Sequence, residues 1–268
     1  MKKNNSVLLS TPYILWMIAF TLIPLGVVGY YALTDPATGV FTLANLKNLG
    51  MYLPVLWQSI WYSLCAALFC LLLGYPVAYF IAHTKPVTQK FLYMLVMLPM
   101  CMSFLLRTMA WVGLLQDTGL INRLLMALGF EPLRMIRTSG AVILGMVYNY
   151  LPYMILPLYS TIVKIDHRLV EAAEDLGCNT FQVFGKVVFP LSMPGIISGI
   201  TMVFVPSAST FLVSQYLGGT DDVMIGDVID KIFWTDQNTG SAISLVLMLF
   251  IFVFLILMNL FGDEEAIA

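Results

Sequence analysis

Residues 164–194 read KIDHRLVEAAEDLGCNTFQVFGKVVFPLSMP, a polar break set between two strongly apolar runs. Ile165, Leu169, Ala172 and Leu176 recur at spacings of four, three and four, which places them on one face of a helix. Asp166 stands where an N-cap belongs, and Gly177 where a left-handed residue closes a helix. Asn179 or Thr180 offers a second N-cap, followed by Phe181, Phe184 and Val187 or Val188 as the apolar face of a second helix. Pro190 and Pro194 are expected to close the unit before the next hydrophobic run. The expected shape is a helix, a glycine corner and a second helix. A helix lying on an anionic membrane surface would carry Lys and Arg beside its apolar face. This one shows Glu171, Glu174 and Asp175 around small residues, which suits a groove in another protein.

Working outward, the chain of 268 residues is 60% hydrophobic and 10% charged, with a mean hydropathy of +0.88. A water-soluble core cannot hide that much apolar surface, so the class is an all-α integral membrane protein. A net charge of −2 gives no nucleic-acid footprint. Cys65, Cys70, Cys101 and Cys178 have no CxxC spacing, and the first three lie in apolar runs as small packing residues. The Gly185-Lys186 pair is followed by Val187, so it makes no Walker A phosphate loop. His83 and His167 belong to no HExxH, and GxSxG is absent. Any energy for work must come from a partner chain or an ion gradient.

Six spans are expected: Tyr13 to Leu33, Ser59 to Ala82, Phe91 to Leu115, Gly140 to Val163, Met193 to Leu217 and Ala242 to Gly262. The first reads as a retained span with Lys2 and Lys3 on its inner flank. Six spans place both termini on the inner side. Inner segments then hold Lys2, Lys3, Lys85, Lys90, Lys164, Arg168 and Lys186, against Lys47, Arg107, Arg123, Arg134, Arg137 and Lys231 outside. That bias is slight, so the short Lys85–Lys90 loop and the first flank carry the orientation. One transmembrane domain is expected over residues 1–268, with the polar elbow at 164–192 inside it.

Polar and helix-breaking residues within spans are the candidates for a solute path. The fourth span carries Tyr148, Asn149, Tyr150 and Tyr153 beside Pro152; the fifth carries Ser207, Ser209 and Thr210 after Pro206. The competing reading is a packed kink whose hydroxyls bond back to their own backbone. Arg107, near the outer end of the third span, is placed to snorkel. Gly195 and Gly199 form a GxxxG, for close packing within the chain or with a partner. Between Gly218 and Asn238, Asp221, Asp222, Asp227, Asp230 and Asp236 face Lys231 alone. Such a stretch either concentrates cations at an outer mouth or docks a binding protein.

The elbow carries a resemblance. Glu171-Ala172-Ala173, Gly177, Val187, Phe189 and Pro190 resemble the EAA loop of ABC importer permeases, with Val187, Phe189 and Cys178 where that family has Ile, Leu and Ala. Further stretches are similar to the permease subunits of spermidine/putrescine importers. They are Leu106-Arg107-Thr108 with Ala110-Trp111, Leu156-Pro157-Leu158-Tyr159-Ser160 into Ile165-Asp166, Met193 to Ile197, and Leu217-Gly218-Gly219 to Ile225-Gly226.

The resemblance implies a type I ABC importer permease fold, with the coupling loop between spans four and five facing the cytoplasm of a bacterium. It implies a non-catalytic subunit that pairs with a second, homologous permease in the lipid of the cytoplasmic membrane. Two ATPase subunits and an extracytoplasmic substrate-binding protein complete the set, with ATP and Mg on the ATPase and no cofactor on this chain. Glu171, Ala172, Ala173, Asp175, Leu176, Gly177 and Pro190 are then the ATPase-coupling residues. Tyr148, Asn149, Tyr153, Ser207, Ser209, Thr210, Asp227 and Asp230 are the candidates for the solute path. Polyamine is the expected cargo, another small solute the alternative. A gradient-driven carrier would want a carboxylate deep in a span, and none of the six has one.

Overall fold

In the computed structural model, residues 12–35 and 38–265 are described; Lys2 and Lys3, which carried part of the orientation argument, lie outside them. The helices in chain order are α1 (Pro12–Ala32), α2 (Leu53–Ala82), α3 (Pro86–Cys101), α4 (Phe104–Leu115), α5 (Leu120–Ala127) and α6 (Ser139–Ile162). Then come α7 (His167–Asp175), α8 (Thr180–Ala208), α9 (Leu212–Leu217), α10 (Ile225–Phe233) and α11 (Gln237–Glu265). Among the described residues no strand forms; Thr34 and Phe41 make one isolated bridge. Helices α1, α2, α6, α8 and α11 are each long and apolar enough to cross a membrane, and α3 with α4 and α5 makes a sixth, bent candidate. Internal contacts divide the chain into two compact units, one of the chain up to Pro54 with Val228–Phe250, the other of Val55–Asp227 with the chain from Ile251 onward.

The larger unit is packed through small residues. Helix α2 buries Ser59, Ser63, Ala66, Ala67, Cys70, Gly74 and Ala78. It exposes Trp57, Trp61, Leu64, Leu68, Leu72 and Phe80 on its other faces. That is the reverse of a soluble helix, and it follows from a solvent as apolar as leucine, where close approach of backbones is what holds helices together. The most extensive helix pair is α6 with α8. A Cβ on Gly195 would lie 2.9 Å from Thr161 Cβ and 3.0 Å from the Pro157 carbonyl, and one on Gly199 would lie 2.6 Å from Met154 Sδ. The GxxxG therefore serves packing inside this chain.

Two spans depart from the expected straight helices. The third is broken: the axes of Pro86–Cys101 and Phe104–Ala127 meet at 88°. Pro99 sits in a tightened turn over Leu98–Cys101, and Met102 and Ser103 are both extended, so the ladder stops and restarts. The fifth begins earlier and ends earlier than its hydropathy suggests. Pro190 and Pro194 do not close the elbow, because a π-helical turn at Phe184–Val188 and a reset at Ser192 put each proline where no N–H is required. The helix ends at Ala208 rather than Leu217, and Leu212–Leu217 is a separate short helix docked on α4 and α6. The outer segment after it is stapled to α2, with the Tyr62 hydroxyl donating to Asp222 at 2.7 Å, Gln58 Nε2 to the Asp221 carbonyl at 2.7 Å and the Ile225 amide to Ser59 Oγ at 2.7 Å.

In the smaller unit, two asparagine amides cap the carbonyls that end α1. Asn45 Nδ2 donates to Thr34 O at 2.9 Å, and Asn238 Nδ2 to Thr34 O at 2.7 Å and Tyr31 O at 3.0 Å. Asp236 caps α11, accepting from the Thr239 hydroxyl and from the amides of Thr239 and Asn238. The Thr239 hydroxyl above all holds its carboxyl below the ordinary aspartate range; burial opposes it, and the amides of Thr239 and Asn238 add to the lowering.

Two outcomes follow. Gly195→Ala should cost about 1–3 kcal/mol by overpacking the α6–α8 seam, read as a lowered Tm in detergent. A depressed carboxyl gives stability that is complete above its unfolded value and lost as pH falls through the folded one. Protection of the Asn238 and Thr239 amides from hydrogen exchange should therefore fall only below the usual aspartate range, and Asp236→Asn should flatten that dependence.

Candidate functional site

The elbow folds as two capped helices around a left-handed corner. Asp166 Oδ1 accepts from the Arg168 amide at 3.0 Å and starts α7. At the other end Gly177 has φ +86°, its amide donates to Glu174 O at 2.8 Å, and Cys178 N donates to Ala173 O at 3.1 Å. That pair of bonds is a Schellman closure, which needs the left-handed residue that glycine supplies. Asn179 is the second N-cap, in a reciprocal box: Gln182 N donates to Asn179 Oδ1 at 2.9 Å and Asn179 N to Gln182 Oε1 at 3.0 Å.

The elbow bares apolar side chains at its corner and in the first turn of α8. Leu176 is 87% and Phe181 90% exposed, among exposed Glu171, Ala172, Glu174 and Asp175, while Ala173 is half-buried. His167 Nδ1 stands 3.6 Å from Glu171 Oε1 on the same face. Two bare apolar tips stand within an acidic, small-residue surface. Phe181 thus points away from the chain, contrary to its expected place on an inward apolar face. Phe184 turns inward instead, its ring 5.5 Å from Tyr75 and 6.1 Å from Tyr79 on α2. Pro190 is exposed, one turn beyond them.

The polar residues of the fourth and fifth spans fall into two groups. Tyr148 is exposed, edge-on to Trp111 at 5.4 Å, and Tyr153 is half-buried beside Tyr150 at 6.2 Å. Ser209 is exposed, with its hydroxyl on the carbonyls of Val205 and Pro206 at 3.3 and 3.4 Å. The others are enclosed. Asn149 is fully buried, its Nδ2 on Gly145 O at 2.9 Å and Thr108 Oγ1 at 3.3 Å. Ser207 is buried and bonds back to Phe204 O at 2.9 Å, and Thr210 is 8% exposed.

Arg107 does not snorkel. At 5% exposure it turns into the protein, Nη1 donating to the Asn149 carbonyl at 3.4 Å and the guanidinium lying 5.7 Å from the Phe104 ring. The acceptor lies in the turn that precedes Pro152.

The acidic outer stretch is largely built into the fold. Asp227 is 5% exposed and accepts from Ser214 Oγ at 2.5 Å and Met224 N at 3.1 Å. Asp222 takes the Tyr62 hydroxyl and the Gly219 amide, and Asp236 caps α11. Asp221 and Asp230 are exposed. Among the described residues no group of three His, Cys, Asp or Glu is arranged to hold a metal ion. Sequence reasoning passed over Tyr75 and Ser192, whose side-chain oxygens are 2.8 Å apart. The available signal was a lone serine between Pro190 and Pro194, with Tyr75 and Tyr79 one turn apart at Pro76.

Comparison with known proteins agrees with this architecture. Residues 71–263 match the family described as binding-protein-dependent transport system inner membrane component. The chain is 42% identical over 243 residues to the spermidine/putrescine transport system permease protein PotB of Haemophilus influenzae, covering 87% of this chain and 85% of that protein. It is 39% identical to the protein of the same name from Escherichia coli K12, covering 87% and 88%. Among solved structures, it superposes on a chain of a bacterial ABC transporter that imports the acidic polysaccharide alginate with a TM-score of 0.77 at 16% identity, covering 98% and 96%. For the inward-facing MetNI methionine ABC transporter the TM-score is 0.58 at 15% identity, covering 81% and 95%. At those identities the likeness concerns the fold, which is that of type I ABC importer transmembrane subunits. The chain belongs to the family of inner membrane components of binding-protein-dependent transport systems, as a multi-pass, non-catalytic permease subunit of the ABC importer class.

Proposed function

We propose that this chain is the permease of an ATP-driven polyamine importer, forming half of the path for spermidine or putrescine. The observation that supports it most directly is the elbow: two capped helices around Gly177 that hold Leu176 bare at the corner and Phe181 bare in the first turn of α8. A surface of that kind suits contact with a partner. The partner we assign is an ATPase, which hydrolyses ATP with Mg while this chain binds neither. Two copies of it, a second homologous permease and an external binding protein complete the importer. Both termini and the elbow then face the cytoplasm.

On this reading Glu171 meets a basic group of the ATPase, Ala172 and Ala173 let the helix backbone sit deep in its cleft, and Leu176 fills an apolar pocket. Asp175 belongs to the same face. The rigid Gly177 corner passes the movement to α8, with Pro190 at its base. Closure of the ATPase pair then swings the spans between inward- and outward-facing states, a shift driven by differential contact in the two states. Polyamine as cargo is supported by the similarity to PotB proteins. It is also consistent with the aromatic faces and hydroxyls among the candidate path residues. Tyr148, Tyr153 and Ser209 are the path residues with open side chains. Asn149, Ser207, Thr210 and Asp227 hold the breaks that shape it, and Asp230 presents charge to the exterior.

The test is uptake of labelled spermidine by the reconstituted importer. Gly177→Pro locks φ near −65° where +86° is needed, and Ala173→Asp puts a charge on the docking face. Each should lower uptake at least about tenfold, a loss of about 1.4 kcal/mol or more of coupling, with the chain still present in the membrane. Full uptake by both variants would refute the coupling role. Uptake unaffected by removal of the ATPase would refute the class.

A further inference from the structure

Chain connectivity links the elbow to α6 on one side and to α8 on the other, and the structure ties it to a third span. The base of α8 is where its own ladder is loosest. Over Phe184–Val188 the helix widens to a π turn, with Phe189 N bonding to Phe184 O, and Pro190 has no N–H to offer. Side chains take over at that level. Tyr75 of α2, 8% exposed, packs its ring 5.5 Å from Phe184 and 6.1 Å from Phe189, and Tyr79 adds a contact 6.1 Å from Phe184. The Tyr75 hydroxyl lies 2.8 Å from Ser192 Oγ, and Ser192 is fully buried. Ser192 Oγ also bonds the Phe189 carbonyl at 2.8 Å. A serine has one hydroxyl proton and the carbonyl can only accept, so that proton goes to Phe189 and Tyr75 is the donor to Ser192.

Helix α2 has its own weak point at the same place, because Pro76 follows Tyr75 and removes a bond from the ladder. Two helices, each able to bend at this level, are thus joined across their bending points by one buried hydrogen bond and an aromatic cluster. Bent or broken points are where a helix can change direction without losing its remaining bonds, so a link placed there carries motion rather than merely packing.

We propose that Tyr75 and Ser192 are a positioning pair that transmits displacement of the elbow to α2 as well as to α8, so that one ATPase contact moves two spans together. The inference rests on the coupling role assigned to the elbow. Tyr75 touches neither ATPase nor cargo and acts only through Ser192, Phe184 and Phe189.

The test uses the complete importer in liposomes: this chain, its second permease, the ATPase and spermidine-loaded binding protein. Spermidine transported and ATP hydrolysed are measured on the same sample. Tyr75→Phe keeps the ring on Phe184 and Phe189 and removes the hydroxyl; Ser192→Ala removes the acceptor. Each should lower spermidine moved per ATP about fivefold with Tm and hydrolysis near wild type. The double variant should be no worse than either single one, because a shared bond is lost only once, and Ser192→Thr should restore the ratio. An unchanged ratio in both single variants overturns the proposal. So does a fall in uptake, hydrolysis and Tm together, which marks the pair as packing only. A wild-type importer that neither hydrolyses ATP in response to loaded binding protein nor accumulates spermidine overturns the functional reading and this inference with it.

Discussion

Helices immersed in hydrocarbon gain nothing by exchanging lipid for leucine, so what holds them must be close approach and hydrogen bonding. The α6–α8 seam rests on this constraint. Gly195 and Gly199 bring α8 against Thr161, Pro157 and Met154 at distances that no Cβ permits. The same rule puts alanines, serines and Cys70 on the inner face of α2 and its tryptophans and leucines on the outer ones. Two interruptions of the spans have a side-chain donor beside them. Arg107 serves the backbone near Pro152, and Tyr150 donates to the Pro206 carbonyl at 3.2 Å, beside the end of α8.

The elbow could be read almost in full from the chain, because its signals are local. A cap aspartate, a glycine at the left-handed position and a second cap at Asn179 or Thr180 each act within a few residues; the first two are realised, and the structure takes Asn179 for the third. The apolar stretches marked the spans for the same reason. Hydropathy is blind to what a stretch does inside its own length, and so the 88° turn at Met102–Ser103 and the end of α8 at Ala208 did not show. Nothing apolar changes across those points; only the backbone does. Prolines misled at 190 and 194 because a preceding π turn or reset removes the cost that normally makes them stop signals.

Side-chain roles were harder than elements, since they depend on contacts far apart in sequence. Asp227 and Asp222 look like free charges in a string of aspartates, yet they hold Ser214, Met224, Tyr62 and Gly219. Phe181 and Phe184 share a helical face on paper. In the structure Phe181 is bare, whereas Phe184, at 36% exposure, packs part of its ring against Tyr75 and Tyr79 of α2.

The exposed tips of Leu176 and Phe181 carry a further consequence for the chain in isolation. A detergent belt wraps the spans and leaves the elbow standing clear of it in water. Two oily knobs one corner apart, fixed by capped helices and unable to fold away, make a self-adhesive surface. Pure preparations of the chain alone should clump elbow to elbow, however well the spans are solubilised.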